Sequence, residues 1–174
     1  IGRFYGVDVR KHGSGNAGVT NTLRILGKTA ALLVLIGDAL KGIISCFVGY
    51  YIAGQTGAIV AGGFAIIGHN WPVYFGFKGG KGVLTSFAVM VFIDWKLAII
   101  ALGAFIVVVL LTRYVSLGSI TGAIILPILA ILFNRSIELI VFSIALGFLV
   151  IVKHHSNIER LINGTESKLG KKTG

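Results

Sequence analysis

LAIIALGAFIVVVLLT, residues 97–112, runs for sixteen positions without a charge and ends against Arg113 and Tyr114. A membrane-crossing helix needs about 17 to 25 mostly apolar residues, because each residue rises about 1.5 Å through a hydrocarbon layer about 30 Å thick. This stretch nearly meets that length alone. Working outward, comparable apolar stretches cover 29–53, 56–77, 82–93, 115–133 and 136–152. The stretch at 82–93 is short, and either recruits Gly79 and Gly80 or thins the bilayer locally.

The sequence therefore predicts an all-α fold, a polytopic transmembrane helix bundle with six spans. It forms a single integral-membrane domain over residues 1–174, with a tail leaving the membrane from about residue 153. Of its 174 residues, 55% are hydrophobic and 13% charged, which excludes an ordinary soluble domain. IGRFYGV, residues 1–7, reads as the exit of a further apolar segment, so seven spans are expected in the full-length protein.

The formal charge of +10 would suggest nucleic acid in a soluble protein, but its placement argues against that. Six spans leave both ends of the chain on one side. That side collects Arg3, Arg10, Lys11, Arg24, Lys28, Lys78, Lys81, Arg113, Lys153, Arg160, Lys168, Lys171 and Lys172. The other side has Lys96 and Arg135, and Lys41 lies within a span. The positive-inside rule assigns the rich side to the cytoplasm. Cys46 is the sole cysteine and sits among apolar residues, which excludes an internal disulfide and a cysteine-rich metal site.

Polar residues gather on the same side. GSGNAGVTNTLRILGK, residues 13–28, offers backbone amides at glycines, neutral donors at Ser14 and Asn16, and the forked cation of Arg24, which together suit a phosphate. An ordinary polar loop with glycine turns reads equally well there. FKGGKG, residues 77–82, places Lys78 and Lys81 around Gly79 and Gly80 just before a span. It is half of a phosphate cradle, or a pair of positive-inside markers.

RYVSLGS, residues 113–119, carries Ser116 and Ser119, which can cap a helix or bond a ligand. In KHHSNIERLINGTE, residues 153–166, His154 and Asn157 stand one helical turn apart on what is otherwise an interfacial helix. Asp38 and Lys41, three residues apart inside a span, can pair across one turn. His69, in GHNWP, lies where Trp71 and Pro72 mark a broken helix end.

The chemistry open to these residues is narrow. Few histidines and no cysteine pair argue against a metal, and the expected cofactor set is empty. No GxSxG elbow is present, and His154 with Glu159 misses the H-x4-D acyltransferase spacing only in having Glu for Asp. What remains is cationic and hydroxyl-bearing groups on one face of a lipid-soluble scaffold. Such a face can hold a phosphorylated substrate against an acyl chain without a covalent nucleophile.

In order, GSGNAGVTNTLR, DALKG, GHNWPVYFGFKGGKG, RYVSLGSI and HHSNIERLINGTE resemble the bacterial acyl-phosphate:glycerol-3-phosphate acyltransferase family over essentially the whole chain. Val19 and Gly118 depart mildly, standing where alanine is more usual. The resemblance implies seven spans in the inner membrane and cytoplasmic active-site motifs. It also implies transfer of a fatty acyl group from acyl phosphate to the 1-hydroxyl of glycerol 3-phosphate, without direct use of acyl-CoA or acyl carrier protein.

It implies that Ser14, Arg24, Lys81, Ser116, His154 and Asn157 bind or orient glycerol 3-phosphate and the reacting phosphate. Lys81, His154 and Asn157 would be the catalytic group. Asn16, Lys41 and Lys78 are secondary binding candidates, beside Gly79 and Gly80 of the cradle. The expected partners are glycerol 3-phosphate, acyl phosphate and membrane lipids, with no nucleic acid and no obligate protein partner. The rival reading is a membrane transporter of an organic phosphate, which the one-sided polar clusters disfavour.

Overall fold

A computed structural model describes residues 1–170; Lys171 and Lys172, assigned to the basic side above, lie outside the described residues. Two short 3-10 turns at Gly2–Tyr5 and Val9–Lys11 precede five helices: α1 (Val19–Asn70), α2 (Val83–Thr112), α3 (Val115–Leu132), α4 (Ile137–Lys153) and α5 (His155–Ile162). The fold is all-helical among the described residues.

The six separate helices of the sequence reading are not drawn as such. α1 and α2 each run through one of the expected connections, where Ala53 with Gly54 and then Asp94 leave helical geometry and the chain bends sharply. In α1, Gly54 takes φ 60°, a left-handed value that its missing Cβ permits, directly after Ala53 leaves helical geometry. The two arms then run back along each other. A Cβ built on Gly62 would stand 2.8 Å from the Cys46 sulfur, whereas a straight helix separates positions 46 and 62 by about 24 Å.

α2 doubles back at Asp94 (φ −151°, ψ 89°). Straight, its 30 residues would span about 45 Å. Instead, both ends meet one cluster: Lys81 bonds Asn157, Asn157 bonds Glu166, and Glu166 bonds Ser116 at the start of α3. At the far end, the Asp94 carboxylate accepts the Leu97 amide at 3.3 Å and pairs with Arg135 at 2.7 Å. That pair joins the α2 bend to the α3–α4 connection, where Ser136 caps α4 by accepting the Leu139 amide.

Three stretches are long and apolar enough to cross a membrane: Val19–Phe75, Val83–Thr112 and Val115–Leu132. α4 with α5, bent by 59°, makes a fourth. Small residues line the contacts between helices, with Ala58, Ala98 and Ala130 nearly or fully buried, while Phe47, Tyr51, Phe64, Leu110, Leu111 and Phe148 are exposed. An apolar outside around a small-residue inside is how helices pack in lipid, where close backbone approach replaces the hydrophobic drive available in water.

Candidate active site

The opening loop is held to α1 by one side chain. Asn21, buried in the first turn of α1, accepts the Ser14 amide at 3.0 Å, and the two hydrogens of its Nδ2 are shared among the carbonyls of Val9, His12 and Asn16 at 2.9 to 3.1 Å. Both hydrogens of this amide are engaged and its oxygen accepts from the loop, so the loop carrying Ser14 and Asn16 is tied to α1. Asn16 in turn accepts the Gly18 amide at 3.0 Å at the start of α1. One turn beyond Asn21, Arg24 donates to the Ser167 carbonyl at 3.3 Å.

Three further elements converge on the same place. Lys81, just before α2, donates to Asn157 Oδ1 in α5. Asn157 Nδ2 donates to Glu166 Oε1 at 2.6 Å, Ser116 Oγ donates to the same oxygen at 2.8 Å, and Arg160 Nε donates to Oε2 at 2.7 Å. Glu166 thus ties the start of α3 to α5 and fixes which end of the Asn157 amide faces Lys81.

These groups line the mouth of a cleft of about 920 Å3. Ser14, Asn16, Arg24, Lys81, Ser116, His154 and Asn157 all face it, and its deeper walls are apolar, with Leu84, Phe87, Met90, Phe105 and Leu126 among them. The remaining candidates lie elsewhere. Lys78 is exposed outside the cleft. Lys41 is drawn to Asp38 at 2.7 Å and to His69. Gly79 and Gly80 pack under the His69–Asn70 turn, where the Gly80 amide donates to the His69 carbonyl at 3.2 Å.

Sequence reasoning passed over Glu166, Arg160 and Asn21. Charge was the available signal for Glu166: the chain has six carboxylates, and this one follows a run of basic residues leaving the membrane. The partners that give it meaning are up to 50 positions away.

Burial pushes the Lys81 ammonium down to about 8; Glu166 opposes the shift, and Arg160, Lys153 and Arg24 reinforce it. In the unfolded chain lysine titrates near 10.4. Between the two values the unfolded chain holds more protons, so stability from this group rises with pH, and at neutral pH its charge is a penalty. A bound phosphate would relieve that penalty. If Lys81 is the cation that meets a phosphorylated substrate, the expected result is a KM for that substrate that climbs above pH 8, approaching about tenfold per unit, in steady-state assays between about pH 7 and 10. A flat profile would remove Lys81 as the cation.

His154 is buried in the wall of the cleft, in the bend between α4 and α5. Its Nδ1 lies 2.7 Å from the Val150 carbonyl, which can only accept, so Nδ1 carries the proton. The other nitrogen, Nε2, keeps a lone pair with which to accept from a hydroxyl.

The family model for glycerol-3-phosphate acyltransferase matches residues 1–164. The chain belongs to that family. The glycerol-3-phosphate acyltransferase of Thermoanaerobacter sp. (strain X514) is 50% identical over 167 residues, covering 96% of this chain and 84% of the relative. That of Clostridioides difficile (strain 630) is 45% identical over 176 residues, covering 98% and 86%. Among solved structures, the glycerol 3-phosphate form of PlsY, an integral membrane glycerol 3-phosphate acyltransferase, superposes with a TM-score of 0.93 at 37% identity, covering 98% of this chain and 86% of PlsY. A lysophosphatidic acid form of PlsY superposes at 0.89. This chain thus shares the helical architecture of PlsY, an integral membrane protein.

Proposed function

We propose that this protein transfers a fatty acyl group from acyl phosphate to the 1-hydroxyl of glycerol 3-phosphate, forming lysophosphatidic acid and inorganic phosphate. The observation that carries the reading is the single cleft with a cationic, hydroxyl-lined mouth and an apolar depth. One substrate is a soluble phosphate and the other a lipid, and this cleft offers each its own solvent. The hydroxyl oxygen bonds to the acyl carbonyl carbon, the carbon–oxygen bond to phosphate breaks, and the hydroxyl proton leaves with the phosphate.

Lys81 and Arg24 neutralise phosphate oxygens, with Ser14, Asn16 and Ser116 as neutral donors. Asn157 holds Lys81, and His154 Nε2 accepts the 1-hydroxyl, aiming its oxygen. With its Nδ1 tied to the Val150 carbonyl, the His154 ring is fixed in place to orient the hydroxyl. The mixed anhydride is reactive by itself, so the protein's contribution is proximity and charge compensation. Lys41 and Lys78 act at a distance from the mouth, and no cofactor and no obligate protein partner are required.

The six helical arms separated by the bends at 53–54 and 94 each cross the bacterial inner membrane, with the cleft mouth in the cytoplasm. The basic residues around the mouth support that orientation. The polar residues of the cleft gather at the end of the bundle away from the Asp94–Arg135 pair, and that one-sided arrangement weighs against an organic-phosphate transporter.

The test supplies purified protein with glycerol 3-phosphate and either palmitoyl phosphate or palmitoyl-CoA. Lysophosphatidic acid should form from the acyl phosphate. Product from the CoA thioester alone would overturn the donor assignment, and glycerol 3-phosphate flux into liposomes without product would favour the transporter.

A further inference from the structure

On the membrane side of the mouth lies a group of polar residues that the mechanism above leaves unused. Asp38 and His69 both line the cleft, His69 about 22 Å along its helical arm from the turn at Gly54. Asp38 Oδ1 takes a hydrogen bond from Lys41 Nζ at 2.7 Å and lies 3.4 Å from His69 Nδ1, and Lys41 Nζ also contacts that Nδ1. The side chains of Asp38 and His69 are mostly buried.

These contacts determine where the imidazole proton sits. A lysine ammonium can only donate, so a neutral ring facing Lys41 accepts through Nδ1 and carries its hydrogen on Nε2. A cationic ring would donate Nδ1–H to Asp38 and again carry a hydrogen on Nε2. In either state Nε2–H is a donor. No group among the described residues bonds it through a protein contact. Nε2 itself packs against Gly80, where an added Cβ would collide first with Nε2 and then with Cε1, so glycine there is what lets the ring sit beside the approach to Lys81.

We infer that His69 Nε2–H, set by the Asp38–Lys41 pair, is a substrate-binding donor for an oxygen of the phosphoryl group of the acyl phosphate. The inference deepens the proposed acyl transfer and rests on it. The acyl donor is favoured over glycerol 3-phosphate by position. Leu35, one turn from Asp38, lines the same side of the cleft and is itself exposed on the apolar surface, and Leu84 and Phe87 continue the wall inward. A lipid-borne phosphate entering along that wall meets His69, while Arg24 and Ser116 serve the soluble substrate. The arrangement gives two phosphates separate donors in one cleft, bringing the acyl carbonyl and the glycerol hydroxyl together between them.

The test measures KM for palmitoyl phosphate and for glycerol 3-phosphate on purified wild type, His69→Leu, His69→Gln and Lys41→Met. Loss of a charge-assisted hydrogen bond in His69→Leu should raise KM for palmitoyl phosphate about tenfold to a hundredfold, leaving KM for glycerol 3-phosphate within about twofold. His69→Gln places an amide N–H where Nε2 stood and should stay within about fivefold of wild type. Lys41→Met should resemble His69→Leu although the imidazole is intact, because Nδ1 then takes the proton for Asp38 and Nε2 loses it.

An unchanged KM for palmitoyl phosphate in His69→Leu, a rise falling on glycerol 3-phosphate instead, or equal impairment of the Gln and Leu variants would overturn the assignment. If His69→Leu fails to fold, the contrast between His69→Gln and Lys41→Met decides it alone. Wild type that uses palmitoyl-CoA but not palmitoyl phosphate would strike down the donor reading and this inference with it. An active wild type with unaffected variants would strike down the role of His69 only.

Discussion

Replacing Lys81 with Met lowers kcat/KM for glycerol 3-phosphate by about two to three orders of magnitude, the loss expected when a preorganised charge facing a developing anion is removed. The ammonium is half-buried, held by Asn157 Oδ1, and shares the cleft mouth with Arg24, Arg160 and the Glu166 carboxylate. Without it, the cleft keeps two guanidinium groups, one of which is engaged by Glu166 and the other by the Ser167 carbonyl. The variant is not expected to be less stable. Its charge is disfavoured by burial, so the unfolding temperature should stay level or rise slightly, which separates loss of function from loss of fold. Steady-state kinetics beside a thermal melt measures both, and turnover near wild type would remove Lys81 from the mechanism.

Replacing Glu166 with Ala acts the other way, on the fold and the site together. The substitution strips the acceptor from Ser116 Oγ, Asn157 Nδ2 and Arg160 Nε in one step. Removing one partner from a buried ion pair destabilises by about 3 to 5 kcal/mol, because the other charge is left without compensation. Arg160 is partly exposed here, so the lower end of that range applies. The unfolding temperature should drop, and kcat/KM should fall at least tenfold as Asn157 loses the bond that aims its carbonyl at Lys81. Glu166→Gln, which keeps one acceptor oxygen, should lie between the two.

The pH dependence of that stability has a definite sign. Burial raises the Glu166 pKa, but the bonds from Arg160, Asn157 and Ser116 outweigh it, and the carboxyl is held below its ordinary value. The unfolded chain therefore binds a proton first as pH falls. The stabilisation is complete above the ordinary glutamate value of about 4.3 and is lost as pH drops through the lowered folded value.

How far the sequence reveals this molecule depends on the range of each interaction. Residues 97–112 show a membrane helix because lipid solvation acts on every residue of a continuous stretch. The connection at 54–55 also shows, as the gap between the apolar stretches 29–53 and 56–77. Asp94 is legible as the end of an apolar stretch, but its role in turning α2 depends on Arg135, forty positions on, and no local pattern reports that pair. At the site, Arg24, Lys81 and Ser116 are legible as anion-suited groups at the ends of spans.

The division of labour between the two glycine-rich segments is not. Residues 77–82 resemble a cradle of open amides, yet the Gly80 amide bonds the His69 carbonyl and Lys78 lies outside the cleft. Composition cannot show which amides a turn has already used. Glu166 illustrates the same limit from the opposite side, as an acidic residue in a basic tail whose three partners are contributed by α3 and α5.

The central claim is that the cluster around Lys81 holds the phosphate of glycerol 3-phosphate. Equilibrium titration of purified protein with glycerol 3-phosphate and with glycerol, on wild type and on Lys81→Met, tests it most directly. The account predicts saturable binding of glycerol 3-phosphate to wild type, none of glycerol at the same concentrations, and a loss of at least tenfold in affinity in the variant. Equal binding of glycerol 3-phosphate by wild type and Lys81→Met would contradict it.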